Sequence, residues 1–298
     1  MMLCSALACE KHDKNEAKSP ELKLTAQFFP LNSEFGDLWG RSVGTGIFMT
    51  GNGSQHVIGD NGNIRYDGKL AAGSIGLEPA VTGINLPDSG ILVDIIGYYP
   101  YCPDLTLKEG AYLYEVNVVD QNSLEPDVLM HGIESGRNSL VNEVHLQLKP
   151  VFAKINARLI YKANTRSAIE DVNLSIDGIS CKAEIDVLTG AYVSYAAAAS
   201  TQMKEKKGTE SGYEAVVLAQ ELSEQANITV KITGGQDAKV PLMDLTEIIE
   251  RNRSYDILVE ISPDNVKATL VDISDFYISD WKEDDTINGS ADNNQLIK

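Results

Sequence analysis

Apolar and polar residues alternate with period two along many stretches of this chain, and within one of them two such patterns stand in opposite phase. In Val141–Tyr161, VNEVHLQLKPVFAKINARLIY, residues Val144, Leu146 and Leu148 alternate with His145, Gln147 and Lys149. Beyond Pro150 the apolar set is Ile155, Ala157, Leu159 and Tyr161, against Lys154, Asn156 and Arg158. Period two places one face in a core and the other in water. The apolar residues are even-numbered before the proline and odd-numbered after it, so side chains change face across residues 150–153, which an uninterrupted mid-sheet ladder does not allow. Pro150 therefore marks a corner, where one strand closes an N-terminal sheet and the next opens a C-terminal sheet.

The same pattern predicts a first strand in which Leu22, Leu24, Ala26 and Phe28 alternate with Lys23, Thr25 and Gln27. A linker from Phe29 to Arg41, carrying Pro30, Gly36 and Gly40, leads to a second strand over Gly44–Met49. Turn formers follow: Gly51-Asn52-Gly53, Asp60-Asn61-Gly62-Asn63 and Asp67-Gly68. The run Ile91–Tyr101, ILVDIIGYYPY, is apolar on both faces, as a central strand would be, and Asp127–Gly132 leads toward the corner strand. In the second half, strands are predicted around Val172–Ile176, Ala183–Val187, Gly212–Ala219, Ala226–Thr233, Tyr255–Ile261, Val266–Ile273 and Phe276–Trp281. Leu242–Arg251 alone shows helical spacing, through Leu242, Leu245, Ile248 and Ile249. Ten or more short strands with little helix predict an all-β protein of β-sandwiches. The length, 298 residues, fits about two domains. The expected division is a tether over 1–21, an N-terminal sandwich over 22–150, a C-terminal sandwich over 151–281 and a polar tail over 282–298.

Charge narrows the partners. Lys and Arg number 25 and Asp and Glu 43, a net charge of −18, and no stretch gathers enough base to hold a phosphate backbone, so nucleic acid is excluded as the expected partner. After the first ten residues no apolar run approaches the ~18 needed to span a bilayer. Any membrane attachment must then lie at the N-terminus. There Met2-Leu3-Cys4-Ser5-Ala6-Leu7-Ala8-Cys9 gives way at once to the polar run Glu10–Ser19, like the tail of a bacterial lipoprotein signal with Cys9 as the acylated residue. It is shorter than the ~15–30 residues of a complete signal, so an upstream start is expected. The competing explanation is an arbitrary start with an incidental cysteine.

Catalytic and metal-binding patterns are missing. His12, His56, His131 and His145 have no ligand partner at HxxxH or CxxC spacing, and surface positions are expected for them, His145 on the wet face of its strand. GxSxG, Walker and dinucleotide motifs do not occur. Asp60–Asn63 fails as a calcium loop, since its third and fifth positions are Gly62 and Ile64. The pair Asp284-Asp285 lies in a polar tail with no cleft around it. No enzyme and no cofactor are predicted. One cluster, Tyr98, Tyr99 and Tyr101 with Tyr112 and Tyr114, suits either a sugar-binding face or a strand end packed on its neighbours, and tyrosine's usual partial burial favours packing.

Taken in order, the lipoprotein-like start at Cys9, the early alternating strand, EFGDLWGRSVGTGIFM over Phe35–Met49 and its flank, IIGYYPY, DVLMHGI, VHLQLKPVFAKINARL, Arg251–Ile257 and Ile278–Trp281 resemble the fimbrillin family of Bacteroidales. Each motif is degenerate, and their order carries the resemblance over nearly the whole chain. Pro150 departs from it, many such proteins having histidine there. The resemblance implies two transthyretin-like β-sandwich domains, secretion as an outer-membrane lipoprotein and assembly into a cell-surface fimbria, with a host or bacterial surface receptor as a further partner. It also implies that an N-terminal strand is removed by a protease, often Arg-specific, and that other subunits then pair with the emptied groove by donating a strand. Arg41, the first arginine, lies in the linker after the first strand, where a protease could reach it. An ordinary loop arginine with the strand left in place is the alternative. A surface lipoprotein that binds glycan without polymerising is the competing function.

Overall fold

The computed structural model describes residues 20–28, 42–69, 75–121, 129–162, 171–206, 212–233, 237–262 and 265–276. Up to the corner the strands are β1 (Lys23–Phe28), β2 (Ser42–Gly51), β3 (Ile64–Lys69), β4 (Ile75–Pro79), β5 (Val93–Tyr99), β6 (Thr106–Lys108), β7 (Ala111–Asn117), β8 (Met130–Arg137) and β9 (Glu143–Pro150). After it come β10 (Phe152–Tyr161), β11 (Val172–Ser180), β12 (Lys182–Asp186), β13 (Ala191–Tyr195), β14 (Ala198–Gln202), β15 (Lys204–Lys206) and β16 (Gly212–Leu218). The last are β17 (Gln220–Glu221), β18 (Asn227–Ile232), β19 (Ala238–Pro241), β20 (Ile248–Ile249), β21 (Arg253–Ser262) and β22 (Asn265–Asp275).

The all-β class follows from the alternation. In β9, Val144, Leu146, Leu148 and Pro150 are buried and their neighbours exposed. Val151 forms the bend, its N–H donating to the Leu129 carbonyl at 3.0 Å, and in β10 the buried set becomes Ile155, Ala157 and Leu159. The change of face at the proline is thus a passage from one sheet to another. β5, apolar on both sides, lies between β2 and β8 and is buried along all but its last residue.

In the first half, hydrogen bonding runs round a closed barrel in the order β1-β4-β3-β2-β5-β8-β9. In the second half a five-stranded sheet, β15-β16-β10-β21-β22, and a four-stranded sheet, β14-β11-β18-β19, bury Ile155, Ala157 and Val259 and Leu174, Ile176 and Val230 respectively. Pairing also crosses the corner. β6 and β7, from the first half, complete a four-stranded sheet with β12 and β13, Glu115 standing opposite Glu184. The buried residues accordingly form one cluster from Leu22 to Phe276.

The expected helix at Leu242–Arg251 is replaced by a single 3-10 turn over Leu242–Asp244 and the two-residue strand β20. Leu242 and Ile249 are buried but Ile248 is exposed, so no helical stripe is covered. The Thr246 hydroxyl donates to the Ile248 carbonyl at 2.8 Å, a local bond that competes with helix.

Candidate functional site

The barrel is closed by its first strand. β1 pairs antiparallel with β4 over three positions (Leu24 with Leu77, Thr25 with Gly76, Ala26 with Ile75) and parallel with β9 over six, from Lys23 with Glu143 to Phe28 with Leu148. Period two turns Leu22, Leu24 and Ala26 inward, where they are 4%, 3% and 1% exposed. Two large pegs and one small one therefore fill the seam. The entry to β1 is fixed by backbone bonds: Leu22 N–H to the Ile84 carbonyl at 2.8 Å, Leu86 N–H to Pro20 at 3.1 Å and Lys23 N–H to Asn142 at 2.9 Å.

On the outer side the seam is held lightly. Lys23 Nζ lies 3.4 Å from Glu143 Oε1 with both side chains about two-thirds exposed, an ion pair worth little in water. Thr25 Oγ1 hydrogen-bonds His145 Nδ1, so His145 occupies the wet face expected of it. The sequence alone did not single out Glu143 or Asn142. Their partners lie about 120 residues earlier in the chain, and no local pattern carries that register.

The tyrosine cluster is packing. Tyr98 is fully buried, its ring so close over Gly46 that a Cβ there would fall 2.0 Å from Cε1. Its hydroxyl donates to Asn63 Oδ1 at 2.7 Å and accepts from the Cys102 N–H at 3.1 Å, and burial pushes its proton loss to higher pH. Tyr112 rests on Phe48 with centroids 4.8 Å apart, and Tyr114 meets Tyr98 edge-on at 6.1 Å. Tyr101 is half-buried with the Arg65 guanidinium 5.5 Å above its ring.

His131 corrects the expectation of a surface histidine. On β8 its ring meets the turn after β12, where a Cβ on Gly190 would lie 2.6 Å from Nδ1, and its Nε2 is buried without a hydrogen-bond partner. Burial, then the charge of Arg251, lowers its pKa to about 4. Arg251 Nη1 donates to the Gly190 carbonyl at 2.5 Å and Tyr192 Oη to the Val151 carbonyl at 2.8 Å, bonds within the second half that brace the turn on which His131, from the first half, packs. On β10 and β16, Lys154 Nζ and Glu214 Oε2 form a buried ion pair at 2.7 Å. Among the described residues no group of three His, Cys, Asp or Glu is placed to share a metal ion.

Comparison with known proteins adds the family. A model described as fimbrillin-like matches residues 35–281. The chain belongs to the fimbrillin-like family. A putative cell adhesion protein from Bacteroides uniformis shares its fold, with TM-score 0.68 and 20% identity over 88% of this chain and 98% of that one. Another from Bacteroides ovatus gives 0.64 and 13% over 88% and 99%. The tip fimbrial protein Mfa3 from Porphyromonas gingivalis, with a C-terminal truncation, gives 0.52 and 10% over 86% and 100%. No curated protein sequence matches. Membership makes this fimbrillin-like chain a fimbrial-type protein of the cell surface. Cys9 and Arg41 both lie outside the described residues; Arg41 falls within the matched range and Cys9 before it.

Proposed function

We propose that this chain is a fimbrial structural and adhesive subunit that exchanges its first strand for one from another subunit. In this reading it is held at the outer membrane through a lipid on Cys9, cut after Arg41, and left with an open seam between β4 and β9. The observation that carries the proposal is the place of β1: a strand near the start of the chain that completes a barrel otherwise built from strands beyond the linker. Burying Leu22 and Leu24 stabilises the closed barrel by roughly 3–6 kcal/mol together, at about 1.5–3 kcal/mol per leucine. Loss of β1 exposes those pockets and two unpaired edges, which favours addition of another strand of the same pattern.

Arg41→Ala tests this directly: the variant should be folded, monomeric and excluded from fimbriae. If it enters fimbriae as readily as the parent, the proposal fails. N-terminal sequencing of protein from the native surface separates the two states, since a start at Ser42 reports cleavage and a start at Cys9 an anchored, uncut chain.

The subunit's place is at the tip or in an accessory position. Residues 282–298, KEDDTINGSADNNQLIK, hold only Ile287, Leu296 and Ile297 as sizeable apolar side chains and do not alternate, so they would fill few pockets in a neighbour's seam. The fold neighbour from Porphyromonas gingivalis is itself a tip fimbrial protein. Deleting Lys282–Lys298 should leave fimbrial length unchanged; loss of long polymers would make the tail the donor and overturn the tip assignment.

A further inference from the structure

Three loops meet at the end of the barrel where β1 begins. The turn after β2 is tied to β5 and β8 by the Asp94 carboxylate, which accepts from Asn52 Nδ2 at 2.8 Å, Gly53 N–H at 2.7 Å and Gly136 N–H at 3.1 Å. The segment after β4 reaches the β8–β9 turn through the Ser139 N–H to Pro87 carbonyl bond at 3.0 Å and Asn138 Nδ2 to the Ser89 carbonyl at 3.1 Å. That turn reaches the start of β1 through Asn142 Nδ2 and the Glu21 carbonyl at 3.1 Å. β9 runs away from this pole toward Pro150, so the second half of the chain is attached at the opposite pole.

The first pole is apolar at its loop tips, and its exposed charges, Glu21 beside Gly83 and the Lys23–Glu143 pair, stand where β1 and β9 begin. Val81 is 94% exposed, Leu140 78%, Ile91 53%, Val141 49% and Leu92 47%. Residues 51–56, 80–92 and 138–142, which number 24, contain one Asp, Glu, Lys or Arg, which is Asp88; at the chain's average of 23% charged, five or six would be present. In a chain of net charge −18 these three loops add little to the repulsion from an anionic surface. Val81, Ile91 and Leu92 stand on the segment after β4, and Leu140 and Val141 on the β8–β9 turn, with Gly, Ser and Asn around them. Loop tips of this kind can enter an apolar layer one or two side chains at a time.

We propose that this pole seats on the lipid surface, with Val81, Ile91, Leu92, Leu140 and Val141 immersed at the depth of the headgroups and first methylenes. The path of the chain favours lipid as the occupant. The eleven Cα–Cα steps from Cys9 to Pro20 reach at most about 40 Å, and Pro20 lies at this pole, bonded to Leu86. A lipid on Cys9 would therefore hold this end, and not the opposite one, against the membrane. The inference rests on the anchored state proposed above, so its test removes the anchor.

The full chain carrying Cys9→Ser should float with phosphatidylcholine vesicles at millimolar lipid. Val81→Asp with Leu140→Asp should lower the bound fraction at least tenfold while leaving the melting temperature unchanged. Tryptophan fluorescence supplies the orientation, with the parent chain giving the background of Trp39 and Trp281. Leu140→Trp should be quenched by vesicles with brominated acyl chains, and Val193→Trp, on β13 of the sheet shared by the two halves, should not. No flotation, flotation indifferent to the aspartates, or equal quenching at both positions each overturns the proposal; the first would leave a protein partner for the pole. Flotation of the Cys9→Ser chain together with an unacylated Cys9 in native protein would retire the lipid anchor alone.

Discussion

Leu24→Ala should separate the uncut chain from one that has exchanged its strand. Leu24 is 3% exposed at the seam, paired with Val144 on one side and Leu77 on the other. Truncating a buried leucine costs 2–5 kcal/mol, from lost transfer energy and the cavity left behind. A value of about 3 kcal/mol is expected here, because β4 and β9 are held by the rest of the barrel and cannot collapse fully onto the gap. In the uncut protein this appears as a lower urea midpoint with an unchanged slope. After cleavage at Arg41 and refilling of the seam with a synthetic peptide carrying Leu22–Phe28, the substituted residue is gone and the loss should vanish. The same 3 kcal/mol, at about 1.4 kcal/mol per factor of ten, should speed entry of that peptide into cut but unexchanged protein by up to about 100-fold. An equal loss of stability in the refilled protein, or none in the uncut one, would refute the assignment of β1 as the detachable element.

Acid should loosen the junction between the halves. The unfolded chain takes up a proton on His131 near its ordinary 6.5 and the folded chain only near 4, so stability is full above pH 6.5 and falls as pH drops through that window, on the order of 2 kcal/mol for this partly covered ring. His131→Phe should flatten that slope, as measured by urea unfolding at pH 7, 6 and 5. Glu214→Gln leaves Lys154 buried without its carboxylate and should cost about 3–5 kcal/mol in chemical denaturation, whereas the paired change Lys154→Met with Glu214→Leu should recover most of it.

How much could be read from the sequence depended on whether the signal was local. The alternation at Leu22–Ala26, Val144–Leu148 and Ile155–Leu159 specified strand faces correctly because each is half-covered, and the change of phase at Pro150 located the passage between sheets. The parallel register of β1 on β9 spans 120 positions and left no mark on either segment. The same holds for the pairing of β7 with β12, which joins parts of the chain that the turn at Pro150 suggested were separate. Spacing misled at Leu242–Ile249, where apolar residues three and four apart are covered by a turn and a short strand. Residue type misled at His131, whose burial is set by Gly190 and Arg251 from the other half.

The parallel orientation of β1 and β9 has a mechanical consequence. A tether pulling on residue 20 draws β1 out through the pole at which it enters, while the second half of the chain pulls β9 from its Pro150 end in the opposite direction. The two strands are then loaded lengthwise. Their six register positions share the load together, unlike a hairpin peeled open one bond at a time. An anchored, uncut subunit would resist shear flow along this seam with the covalent linker from β1 to β2 behind it, and a single proteolytic cut in that linker would leave the non-covalent pairing of β1 to carry the whole load.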